Sequence, residues 1–487
     1  MRYLARNGMK LGLFLLAMSF SVIAQESKFN DRNALPEIGV VASDVLSLDK
    51  EMLIGDAVMR QMRGGAPVIG DPVLDEYLQD LGNRLVIEAE NTKFPFEFFW
   101  VNNDAINAFA FYGGHIGVHT GLIHNAKNES ELASVLAHEI SHVTQRHLAR
   151  HIQAQQRAAP IAIASMLGGV LLAMADPQAG MAAISAGQAT SAQMSIDYTR
   201  SNEQEADRIG IGMLARAGFD PEAAATFFQT LTAQYRMVSR PPARLMSHPL
   251  TETRVADARA RARDFPRVHI RESLSFHLAK ARVMSRYTFD KNYSLDYYQD
   301  VVRKKDYVMK EAAEYGLALA YLRNEKVVEA KEIIDTLLAA NPENLFYLDA
   351  ATDISLAQHK ADEAVARLKP HLARTPRNQV LALNQANAMI AAGDNDDAII
   401  ILKDFLLVHP DYEIAYQLLT EAYKNEKDFQ GMHQSKAELM VLNGAYKPAI
   451  DELQFAYNFT ADKHLAKQRI RARIKQLREQ QERLERL

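Results

Sequence analysis

A mainly helical chain, built as an α+β domain with one small sheet followed by an α-solenoid, is predicted by three stretches of the sequence. The run from Glu131 to His147 has no Gly or Pro and places Leu132, Val135, Leu136 and Ile140 three to four residues apart, the spacing of a helix with a buried stripe. Ahead of it, residues 95–118 change to short β-rich segments. Beyond residue 270 the pattern becomes all-helical and acquires a period of 34 residues.

In chain order, Arg2, Arg6 and Lys10 precede an apolar run from Leu11 to Ala24 that closes on Val22-Ile23-Ala24, so residues 1–24 read as a signal peptide cleaved before Gln25. Segments 45–63 and 72–90 read as helices, the second opened by Asp71 as N-cap and Pro72 at the first helical position. Three strands follow, Phe96–Val101, Ile106–Phe111 and His115–Val118, with Gly113-Gly114 turning between the last two. His115, Ile116, Gly117 and Val118 are the candidate edge strand on which a substrate could be held in extended form, against a purely structural hairpin.

The next helix contains His138, Glu139 and His142 in the order H-E-x-x-H. Residues four apart share a helix face, so the two imidazoles can hold one zinc ion while Glu139 reaches a water as general base. That is peptide hydrolysis chemistry. His147 and His151 repeat the spacing but lie half a helical turn away in a continuous helix, and they read as surface residues. The Ala/Gly/Met-rich run 158–175 reads as a cover or membrane-surface segment rather than a span.

At Ser201–Gly210, Glu203 and Asp207 again share a face, which suits Glu203 as third zinc ligand and Asp207 as the acceptor that orients a ligand histidine, with Glu205 directed elsewhere. Two His and one Glu leave a fourth position for water. His248, in the Pro-rich stretch 240–250, could reach the cleft either as catalytic donor to the transition state or as a fourth ligand that gates the site. Arg254 could hold that loop or balance an acid.

Pro342, Pro376 and Pro410 are each 34 residues apart, as are Ala330, Ala364 and Ala398, and Gly444 continues the first series. This is the period of tetratricopeptide repeats, expected over 311–444 with a degenerate pair over 274–308 and a concave groove for partner segments. The Lys- and Arg-rich tail from Lys463 aligns Ile470, Ile474, Leu477 and Leu484 on one stripe, suited to capping the solenoid, with lipid contact as the sharper alternative.

The 487 residues are 48% apolar and 24% charged, with no cysteine, which excludes a disulfide framework and a lipid-modified N-terminal Cys. Losing residues 1–24 takes the net charge from −4 to −7 and argues against nucleic acid as a partner. The expected division is signal peptide 1–24, metalloprotease domain 25–270 and repeat domain 271–487.

With the H-E-I-S-H and E-Q-E-A-D helices, the S-H-P loop, Ile106–Gly114 and the repeats together, the chain resembles the gluzincin family of CAAX prenyl endopeptidases and heat-shock membrane zinc proteases. Tyr112 departs from a Pro common in that family. The resemblance implies a zincin-like fold and one Zn2+ on His138, His142 and Glu203, with the S-H-P histidine falling on His248. It further implies a periplasmic zinc endopeptidase and chaperone-like factor associated with the outer membrane. Such a factor promotes assembly of outer-membrane β-barrel proteins, the lipopolysaccharide-export barrel included, and degrades misassembled ones. The implied partners are unfolded or stalled barrels and, through the repeats, the β-barrel assembly machinery; a repeat-based adaptor with a latent protease site is the alternative.

Overall fold

The computed structural model describes residues 42–43, 45–155, 200–235, 248, 252–266, 270–461 and 463–486. The expected signal peptide, the apolar run 158–175 and most of the Pro-rich stretch around His248 lie outside these residues. Helix α1 (Leu48–Gly65) is capped by Ser47, and α2 (Pro72–Val86) by Asp71, whose carboxylate accepts from the Val73 and Leu74 amides. Strands β1 (Val68–Ile69), β2 (Glu97–Val101), β3 (Ala108–Ala110) and β4 (His115–His119) form one sheet in the order β1-β2-β4-β3.

The order corrects one expectation. His115, Ile116, Gly117 and Val118 are not an edge: β4 lies between β2, to which it runs parallel, and β3, to which it runs antiparallel. All five β4 residues are buried, and among the described residues the sheet ends at β1 and β3. The strand reads as an edge locally because a short alternating segment does not reveal which neighbours it acquires. Tyr112, the departure from the family pattern, is buried with Ile54 and Ala149, and the turn still forms, with Gly113 at φ 81° and Gly114 at φ 89°.

After α3 (Thr120–Asn125) comes α4 (Glu129–Thr144), capped by Asn128. Its residues 130–144 are buried on every side, not along one stripe, because α2, β3, α6 (Arg200–Arg216) and α7 (Ala223–Tyr235) all pack on it. Helices α5 (His147–Gln155) and α8 (Glu252–Ala262) complete this part. Among the described residues no helix is long and apolar enough to cross a membrane.

The degenerate pair is α9 (Leu274–Val283) and α10 (Lys291–Lys304), joined through a π-helical turn at Met284–Thr288. Repeat pairs follow as α11 (Lys310–Arg323) with α12 (Val327–Ala340), α13 (Leu345–Ala357) with α14 (Ala361–Arg374), and α15 (Gln379–Ala392) with α16 (Asn395–Leu406). Then come α17 (Glu413–Asn425) with α18 (Phe429–Leu442), α19 (Tyr446–Phe459) and α20 (His464–Glu485). Ala330, Ala364 and Ala398 are fully buried, as close packing within each pair requires. The stripe Ile470, Ile474, Leu477 and Leu484 of α20 is buried in a cluster with α18 and α19.

Against the repeats, the protein packs its own helix α2. Asn378 donates to Glu76 at 2.7 Å, Gln379 to the Pro72 carbonyl at 2.7 Å, and the Tyr412 hydroxyl to Asp75 at 2.9 Å. Farther along, α1 meets α18, where Arg60 donates to the Val441 carbonyl at 2.9 Å. One hydrophobic core therefore runs through both parts, from Leu74 and Trp100 to Tyr315, Tyr347 and Val380. A cavity of about 380 Å³, lined among others by Glu76, Asp80, Arg84 and Phe346, remains between them.

The join is clamped by Arg282, buried on α9, which donates to Asp71 at 2.7 Å and to Asp349 at 2.6 Å, while Tyr287 donates to Asp71 at 2.7 Å. Replacing Arg282 with Met should leave buried carboxylates without this cation and cost about 3–5 kcal/mol, read as a fall in thermal midpoint.

A buried histidine links α1 to the sheet through two more exposed carboxylates: His115 Nδ1 is 3.0 Å from Glu97 and Nε2 is 3.4 Å from Asp56. Burial alone would lower the His115 pKa, but both carboxylates outweigh it and raise it above its ordinary value of 6.5. A raised folded pKa means the stabilisation is full below the unfolded value and lost as pH rises through the folded one. On this account stability should decline as pH rises past the ordinary histidine value of 6.5 and through the raised one, and His115→Gln should flatten the slope of thermal midpoint against pH.

Candidate metal centre

Four donors converge between α4 and α6. His138 and His142 project from α4, Glu203 from α6, and His248 from beyond α7, all buried, with ligand atoms within 4.8 Å of one another. His142 Nε2 and His138 Nε2 are 3.0 Å apart, His248 Nδ1 is 3.3 Å from His138 Nε2, and His248 Nδ1 is 3.0 Å from Glu203. Glu203 lies 3.5 Å from His138 Nε2 and 3.4 Å from His142 Nε2. Ligands about 2.0–2.1 Å from a tetrahedral ion stand roughly 3.3–3.4 Å apart, so these separations fit a small cation bound by nitrogen and carboxylate. Among the described residues no other such group of His, Asp and Glu occurs.

His248 completes a group of four side chains able to hold one ion. Its Nδ1 faces His138 and Glu203, and its Nε2 stands 3.6 Å from Glu139 Oε1, so the ring lies between these groups and Glu139. Glu139 itself is 0% exposed.

The supporting charges explain how two carboxylates survive here. His138 Nδ1 lies 3.0 Å from Asp207, and Arg254 grips Asp207 through Nε at 2.7 Å and Nη2 at 2.8 Å, while its Nη1 reaches Glu203 at 2.9 Å. Burial would raise both carboxyls, but hydrogen bonds outweigh it: His138 and Arg254 hold Asp207 down at about 2, and His138 and His248 hold Glu203 far below its ordinary range. Burial also opposes a charge on His138, yet Asp207 and Glu203 raise its pKa; His142 is pushed well down by burial and by His138 and His248.

The helices approach closely enough because α6 carries Gly210 at the crossing. A Cβ there would stand 3.2 Å from the backbone of Ala137 and His138.

Sequence reasoning placed His138, Glu139, His142, Glu203, Asp207 and His248 together, and the structure brings them together. It left Arg254 open, and the side chain is 2% exposed in the centre of the site. It misplaced His147, which is fully buried with Nδ1 2.7 Å from His142 Nδ1. Helical periodicity does not carry across this point, because α4 ends at Thr144 and Arg146 has φ 50°. Glu205 does point away from the four donors, toward His147 and Arg150.

Asp207→Ala should lower metal affinity about 10–100-fold, because His138 loses the acceptor that holds its ring. Competition with a chelator at fixed pH measures this directly.

Comparison with known proteins agrees with the geometry. Residues 72–262 match peptidase family M48, and residues 355–420 match the tetratricopeptide repeat. The chain is 46% identical over 454 residues to the beta-barrel assembly-enhancing protease of Escherichia coli, covering 93% of this chain and 92% of that protein. It is 43% identical over 474 residues to the putative beta-barrel assembly-enhancing protease of Vibrio cholerae, covering 97% of each. Over 131 residues, 27% of this chain and 24% of the relative, it is 33% identical to the mitochondrial metalloendopeptidase OMA1 of Arabidopsis thaliana. The chain is therefore a metalloprotease of peptidase family M48 with tetratricopeptide repeats, and it belongs to the family of the beta-barrel assembly-enhancing proteases.

Proposed function

We propose that the chain is a zinc endopeptidase, with one Zn2+ per chain, held latent by His248. The observation that carries this is the His248 ring itself, with Nδ1 among the donors and Nε2 toward Glu139. Bound by His138, His142 and Glu203, zinc supplies a Lewis acid that acidifies water and polarises a carbonyl. Glu139 takes a proton from the attacking water and passes it to the leaving amine nitrogen. His248 has to leave its position before water and substrate share the space with Glu139. Asp207 and Arg254 keep His138 and Glu203 in place throughout.

The names of the relatives support a substrate class of outer-membrane β-barrel proteins, unfolded or stalled, and an outer-membrane-associated place in the periplasm. That location agrees with a signal peptide over 1–24, followed by a protease domain over 25–270 and a repeat domain over 271–487. The lipopolysaccharide-export barrel belongs to the same substrate class. Docking to the assembly machinery falls to surfaces of the repeats that α2 leaves uncovered. A chaperone-like role as a repeat-based adaptor is the second reading, and the filled fourth position favours it for the resting chain.

Cleavage of an unfolded outer-membrane β-barrel precursor by the purified chain tests both. Glu139→Gln should lose at least about 10²-fold in rate with zinc retained, and His248→Ala should cut faster than wild type. Turnover retained in Glu139→Gln would remove the general base. A His248→Ala chain as inactive as Glu139→Gln would make His248 a catalytic donor and end the latency reading.

A further inference from the structure

The two histidines of α4 are braced differently. His138 Nδ1 meets a carboxylate directly, Asp207 at 3.0 Å. His142 instead turns its Nδ1 to a second imidazole, 2.7 Å from Nδ1 of His147. The rings stand edge to face, 4.7 Å between centroids at 74°, so the contact is made through the nitrogens and not by stacking. Beyond it, His147 Nε2 is 3.1 Å from Glu205, and Arg150 donates to the same carboxylate oxygen at 2.7 Å.

Proton placement in this chain follows from the donor set. A ligand nitrogen must offer a lone pair, so a neutral His142 that binds through Nε2 carries its hydrogen on Nδ1. Two nitrogens 2.7 Å apart need one donor and one acceptor. His147 Nδ1 is then the acceptor, which puts the His147 hydrogen on Nε2, where Glu205 accepts it. Every hydrogen bond runs in one sense, away from the metal, and ends on a carboxylate held by an arginine.

The backbone is shaped to allow this. In an unbroken helix a residue five positions on lies about 140° around the axis, too far to return to His142. Arg146 breaks the helix in the left-handed region at φ 50°, and α1 holds the break: Arg146 donates to the Leu46 carbonyl at 2.5 Å and pairs with Glu51 at 3.2 Å. His147 then starts α5 with its ring turned back against His142.

We propose that His147 is a positioning residue for the metal ligand His142, through which Glu205 and Arg150 hold that ligand's ring and tautomer. The inference rests on the zinc reading above. It makes the base of α5 part of the metal centre, although neither Glu205 nor Arg150 belongs to the four-donor group.

The test is zinc affinity of the full chain, measured by competition with a chromogenic chelator at fixed pH, beside the thermal midpoint of the metal-free chain. His147→Leu removes the acceptor and should weaken zinc about 10–100-fold. His147→Asn places an amide oxygen near the former Nδ1 and should recover most of that affinity. Glu205→Gln, at a half-buried site, should weaken zinc without moving the metal-free midpoint, and it decides the matter if His147→Leu does not fold. Equal affinity in wild type and His147→Leu overturns the proposal, as does unchanged affinity in Glu205→Gln. Equal losses in His147→Leu and His147→Asn, tracking equal falls in midpoint, would make His147 a core residue only and overturn it too. A wild-type chain that binds no zinc would instead overturn the zinc reading.

Discussion

The structure depends on two carboxylates, Glu203 and Asp207, kept charged in the interior between α4 and α6. Removing an ion from water costs several kcal/mol unless opposite charge and hydrogen bonds replace the lost hydration. Arg254 supplies both, with three nitrogens directed at the pair. Its position thereby ties α8 to α6, and Asp207 ties α6 to His138. The burial that makes the arrangement costly also strengthens these hydrogen bonds, because the local dielectric is low.

Around this centre, rigidity comes from packing. Helix α4 has no solvent face, and Gly210 lets α6 lie against its backbone. The repeats extend the same logic: they close over α2, and Arg282 ties its N-cap, Asp71, to Asp349 on α13. A solenoid wrapped on its own catalytic domain shares one core with it. Helix α2 thus touches both the repeats and α4.

Much of the centre was legible because helical spacing converts sequence distance into spatial direction. His138 and His142 share a face, Glu203 and Asp207 share another, and the 34-residue period of Pro342, Pro376 and Pro410 marks the repeat pairs. His147 was misread because that conversion fails where a helix breaks. A non-glycine residue in the left-handed region, here Arg146, is held by contacts with Leu46 and Glu51 about 100 residues away, which no local pattern records. Arg254 stayed open for a related reason: an arginine one turn into a helix carries no sign of whether a buried acid awaits it.

By itself the sequence determined which residues have the right chemistry and which share a helix face, because the α-helix is a local structure with one fixed repeat. It also determined the helical pairs and the cap at Asp71, which depends on neighbours only two or three positions away. Tertiary structure decided the rest. It set β4 in the middle of the sheet, packed α2 against the repeats, turned His147 onto His142 and stood His248 between the donors and Glu139. Three of these join residues far apart in the chain, and the fourth, His147 on His142, rests on the distant contacts of Arg146 with Leu46 and Glu51; such pairings are chosen by packing, burial of charge and hydrogen-bond satisfaction across the whole molecule, not by periodicity.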